Sequence, residues 1–113
     1  MKKLATLVLM STLATGALAH SRMDTTTPEN GATLPSAPAE ISFNFADDIR
    51  LTRVDLTHRD QTSVQLDLGD QTRFDRAFRL PLQGMGTGLY LIEWRGLGVD
   101  GHVMQGSFSF TVD

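Results

Sequence analysis

From residue 41 onward the chain alternates apolar and polar positions with a period of two. Ile41, Phe43 and Phe45 share one face of a strand, with Ser42 and Asn44 on the other. Val54 and Leu56 keep the alternation in segment 49–57, and Val64, Leu66 and Leu68 resume it after the polar turn Arg59-Asp60-Gln61-Thr62. Towards the end, Tyr90, Ile92 and Trp94 oppose Leu89, Leu91 and Glu93, while Phe108, Phe110 and Val112 alternate with Ser107, Ser109 and Thr111. The last two segments read as central strands. Pro28, Gly31, Pro35 and Pro38 predict an irregular connection over 28–39, and Gly84-Met85-Gly86-Thr87-Gly88 a tight turn before the Tyr90 strand. Short period-two segments divided by turn residues predict an all-β, antiparallel sandwich. No internal repeat and no long linker divides it, so a single domain is expected.

The first residues follow a different pattern. Met1-Lys2-Lys3 is a cationic start, 4–14 is a mostly apolar run, and Ala17 and Ala19 occupy the small-residue positions of a cleavage site. Residues 1–19 therefore read as a cleaved secretion signal, with 20–113 the mature domain and a bacterial-type periplasm its destination. The apolar run is short for a bilayer crossing, which takes roughly 18 to 20 residues, and no later segment approaches that length. The mature protein is expected not to span a membrane.

Loss of Lys2 and Lys3 with the signal leaves eight arginines against 13 carboxylates, a formal charge of −5. Nucleic acid is an improbable partner at that balance. Cysteine is absent, so no disulfide braces the domain, and thiolate chemistry is excluded: blue-copper electron transfer, zinc ribbons and CxxC redox sites alike. No nucleophile triad, phosphate-cradling loop or paired-carboxylate motif suggests a hydrolase.

Histidine, carboxylate, amine and thioether remain as candidate ligands. Cleavage after Ala19 makes His20 the amino terminus, where its α-amine and imidazole Nδ1 can close a six-membered chelate ring on one metal. Asp100-Gly101-His102 offers a carboxylate and an imidazole two residues apart, which in extended backbone face the same side about 7 Å apart. Taken alone, Asp-Gly is more often a hairpin turn than a metal site.

The pieces fall in an order that resembles the small periplasmic copper-resistance protein C (CopC) domain. These are His20, Thr26-Thr27-Pro28-Glu29-Asn30-Gly31-Ala32, Ala37-Pro38 before Ile41-Ser42-Phe43-Asn44-Phe45, Gly88-Leu89-Tyr90, Trp94-Arg95, and Asp100-Gly101-His102 followed by Gly106-Ser107-Phe108-Ser109-Phe110-Thr111-Val112. The resemblance implies an immunoglobulin-like Greek-key β-sandwich or barrel of about seven strands. It also implies one Cu(II) ion per chain, bound by the amine and imidazole of His20, by Asp100 and by His102. Nitrogen and oxygen donors in a tetragonal set suit Cu(II). The amine and imidazoles must shed protons to bind, so occupancy is expected to fall in acid.

Two departures from relatives matter. Segment 57–75 contains no methionine where some relatives carry a methionine-rich loop, so no separate Cu(I) site is expected. Val103-Met104 follows the ligand histidine where proline is common, which makes Met104 a candidate axial ligand beside water. Met23, Met85 and Met104 otherwise read as gap-fillers in cores or turns. His58 is placed at a solvated strand end and left out of the site, as are Asp47 and Asp48. Trp94 reads as the core anchor, and Glu93 and Arg95 as either ligand-orienting or surface groups.

The leading functional reading is a non-enzymatic Cu(II) carrier or buffer that sequesters the ion, and the resemblance implies an inner-membrane copper transporter as the partner that receives it. Two alternatives belong to other classes. A copper polysaccharide monooxygenase also holds its metal through a terminal histidine, but 94 residues leave little area for a flat polysaccharide-binding face. A metal-free interaction module would make all three site residues incidental.

Overall fold

The computed structural model describes residues 23–70 and 72–113, and all regular structure among them is strand. The seven strands are β1 (Met23–Thr27), β2 (Ala32–Leu34), β3 (Glu40–His58), β4 (Val64–Gln65), β5 (Asp75–Pro81), β6 (Gly88–Gly98) and β7 (Val103–Val112). Among the described residues no helix is long and apolar enough to cross a membrane.

The long strand β3 organises the molecule. Its first half is flanked by β1 and β5, with Phe43 opposite both Thr26 and Phe78. Its second half pairs with β6, from Ile49↔Gly98 to His58↔Tyr90. The pairing shifts register between Asn44 and Ile49, so one strand serves two layers and the sheet curls onto itself. Rings from the first half meet rings of β6 and β7 across the interior: Phe45 lies edge-on to Trp94 at 4.9 Å, and Phe43 edge-on to Phe108 at 5.4 Å. This is the face-to-face packing of a sandwich, with edge-to-face ring contacts adding to the burial.

The period-two pattern marks the buried face correctly. Ile41, Phe43, Phe45, Val54, Leu56, Tyr90, Ile92, Trp94, Phe108, Phe110 and Val112 are all buried. Trp94 has Gly106 directly opposite on β7, where a Cβ would lie only 2.9 Å from the indole Cζ2. The glycine gives the indole its room.

Several sequence expectations need correction. Segments 41–45 and 49–57 form one continuous strand, so Asp47 and Asp48 lie within it rather than at a strand end. They are nonetheless exposed at its bend, where Asp48 accepts from Arg76 Nε at 3.2 Å. The expected strand over Val64–Leu68 shrinks to Val64–Gln65, which pairs with β3 at Asp55 and Leu56; beyond it the Leu66 N–H still donates to the Val54 carbonyl at 2.8 Å, and Val64 is exposed. The connection 28–39 contains β2, which runs parallel to β7. Thr-rich β1 and the arginine-bearing β5 show too little apolar alternation to be read from sequence.

His58 is not at a solvated strand end. It is 4% exposed, its ring 4.6 Å from that of Tyr90, with Nε2 2.8 Å from the Thr87 carbonyl oxygen. Its parity with Val54 and Leu56 prevails because the neighbouring Arg59 carries the polarity outward. The Arg59 guanidinium donates to Thr87 from the exposed side.

Candidate metal centre

The β6–β7 hairpin carries Asp100 and His102 at its tip. Gly98 N–H donates to the His102 carbonyl and Gly101 N–H to the Gly98 carbonyl, both at 2.9 Å, closing a tight loop between the strands. Gly101 has φ +86°, a conformation that favours glycine at the bulge position of such hairpins. Asp100 stands in the turn and not in extended backbone, so simple strand parity does not bring the two side chains together. The carboxylate does. Oδ1 accepts the His102 backbone N–H at 3.1 Å, a local Asx-type bond, and Oδ2 lies 2.9 Å from His102 Nδ1.

The contact has an electrostatic consequence. The His102 backbone N–H first, and then its ring, hold the Asp100 carboxyl below its ordinary pKa, so the group is an anion throughout the neutral range. Both side chains are open to solvent, with His102 80% and Asp100 64% exposed. Val99 and Val103, also exposed, flank them. The tip is an accessible platform and not a cavity.

With the proton assigned to Nδ1, the ring donates to Oδ2 and leaves Nε2 as its free nitrogen. An oxygen bonded at Nδ1 and an ion on Nε2 sit on opposite flanks of the ring. Asp100 therefore cannot reach that same ion until the hydrogen bond opens. An imidazole and an ionised carboxylate are donors that fit Cu(II) and other borderline divalent ions.

Of the expected ligands, the structure brings Asp100 and His102 together, and His20 lies outside the described residues. Among the described residues no group of three or more metal-ligating side chains is gathered. Glu93 and Arg95 do not approach the tip; they line an open hollow on the outer sheet face with Arg53, Asp55, Gln105 and Ser107. Met104 is half-buried against the core end nearest the hairpin. Gly98 escaped sequence reading, although a Cβ there would lie 2.9 Å from Asp100 Oδ1. Its only signal was a second glycine close before the Asp-Gly pair.

Comparison with known proteins places these features in a family. Residues 23–113 match the CopC domain. The fold is similar to that of CopC from Methylosinus trichosporium OB3b, at 23% identity and a TM-score of 0.65 over 83% of this chain and 94% of that one. It is also similar to PcoC, a methionine-rich copper resistance protein from Escherichia coli, at 20% identity and a TM-score of 0.59, covering 84% of this chain and 100% of that one. No curated protein matches the sequence.

Proposed function

Because the chain belongs to the CopC family, we propose that it is a periplasmic Cu(II)-binding protein that sequesters or carries copper and hands it to an inner-membrane copper transporter. Residues 1–19 are the secretion signal and 20–113 the working domain. The ligands are the α-amine and imidazole of His20, the Asp100 carboxylate and the His102 imidazole, holding one ion per chain.

The observation that carries this reading is the pairing of an ionised carboxylate with an imidazole on an exposed hairpin tip. The strand pairings favour the participation of His20. Met23 lies opposite Phe45, near the bend of β3, and Ile49 just beyond that bend pairs with Gly98 at the base of the hairpin. Met23, the first described residue, therefore stands at the hairpin's own end of the sheet. In the copper complex, the Asp100–His102 hydrogen bond opens so that both donors turn to the metal. The family and the copper-resistance character of PcoC support copper as the ion. A carboxylate among the donors fills a position that oxygen chemistry needs open, which favours a carrier over an oxidative enzyme.

Cu(II) titration and electron paramagnetic resonance of the mature protein test the proposal. A single Cu(II) with a nitrogen-rich tetragonal spectrum is expected, with nitrogen coupling reduced in His102→Ala. An unchanged spectrum in that variant would remove His102 from the site.

A further inference from the structure

Gly98 closes β6 directly beneath the hairpin and is buried there. Among the positive-φ glycines of the structure it does not figure, so its lack of a side chain supplies room, not backbone freedom. A Cβ at this position would lie 2.9 Å from Asp100 Oδ1 and 3.4 Å from Met104 Sδ. The carboxylate and the thioether therefore close over the same bare patch of backbone. Met104 has Gly96 opposite it on β6, so no cross-strand side chain covers it. Unlike Phe108 and Phe110, which share its inward parity on β7, it is only half-buried.

We infer that Met104 is a further ligand of the copper held at the hairpin, a thioether donor that reaches the ion from the Gly98 side and sets how well the site retains copper on reduction. The inference rests on the copper-binding reading above. Soft thioether sulfur suits Cu(I), whereas Cu(II) is already served by nitrogen and carboxylate donors. Met104 is then the donor that gains importance as the ion is reduced. A methionine that only fills space at the end of the core would make no such distinction.

The test uses protein beginning at His20 and its Met104→Leu variant, a swap that keeps the side chain apolar and near in volume. Cu(II) and Cu(I) affinities are measured by chelator competition. Copper-edge X-ray absorption is recorded on selenomethionine-labelled protein reduced with ascorbate. The variant should keep its Cu(II) affinity and nitrogen coupling but bind Cu(I) at least tenfold more weakly, equivalent to a one-electron potential lower by about 59 mV. The reduced parent should show a selenium neighbour at copper that Met104→Leu lacks.

Equal Cu(I) affinities, no selenium neighbour in the parent, or one that persists in the variant would each overturn the inference while leaving the Cu(II) site standing. A parent that takes up no Cu(II) would instead overturn the copper-binding reading itself. If Met104→Leu folds poorly, the same spectrum of protein carrying Met23→Leu and Met85→Leu, in which Met104 is the one methionine left after His20, decides the matter.

Discussion

At the scale of single residues, the site and the core make separable demands. Asp100 and His102 are exposed and bond chiefly to each other, so truncating either should leave apo stability close to the parent's, as ordinary surface substitutions do. Copper affinity should fall sharply in both variants. Thermal unfolding of the apo proteins beside a Cu(II) titration checks this, and a large loss of melting temperature in His102→Ala would show that the tip serves the fold. His58 behaves oppositely: buried against Tyr90 with Nε2 at the Thr87 carbonyl, it should cost about 2 to 4 kcal/mol when replaced by alanine. Its copper spectrum should match the parent's. The Asp100–His102 pair was readable as a candidate from residue type and spacing, but the bond that aligns it was not, because it depends on a turn conformation that spacing alone does not specify.

Among the elements, the β6–β7 hairpin links core to tip. Trp94 and Gly106 face each other across it, and the indole occupies the space a side chain at 106 would need. Trp94→Ala should therefore cost roughly 3 to 5 kcal/mol through the cavity it leaves. Gly106→Val should cost about 1 to 3 kcal/mol through overpacking, since the atoms it meets belong to a rigid ring. Denaturant unfolding measures both, and parent-like stability in Gly106→Val would mean that the indole moves aside without strain. The strands with strict alternation and large apolar residues, those bearing Phe43, Trp94 and Phe108, were legible in the sequence because those large residues all turn to the buried face. β1, β2 and β5 were not, since their identity comes from partners: β1 and β5 borrow the edges of β3, and β2 that of β7. The continuity of β3 was hidden by Ala46-Asp47-Asp48, exposed residues that read as a break and form a bend.

For the whole molecule, the proposed site depends on an amino terminus created at His20. An internal histidine cannot offer its own α-amine, so a chain still carrying Ala19 has the same sequence from residue 20 but cannot close the six-membered amine–imidazole chelate on His20. The core does not depend on this change, because among the described residues the buried hydrophobic side chains that form it all lie between Ile41 and Val112. Protein beginning at Ala19 should accordingly match the melting temperature of protein beginning at His20, yet bind Cu(II) more weakly in a competitive titration and show a changed nitrogen coupling in its resonance spectrum. Equal affinities and spectra would reject the terminal chelate and leave Asp100 and His102 as a two-residue site. The amine has an ordinary pKa of roughly 7.7 to 8.0, so the protein starting at His20 should also lose Cu(II) affinity on acidification through neutral pH, as protons compete with the ion for that donor.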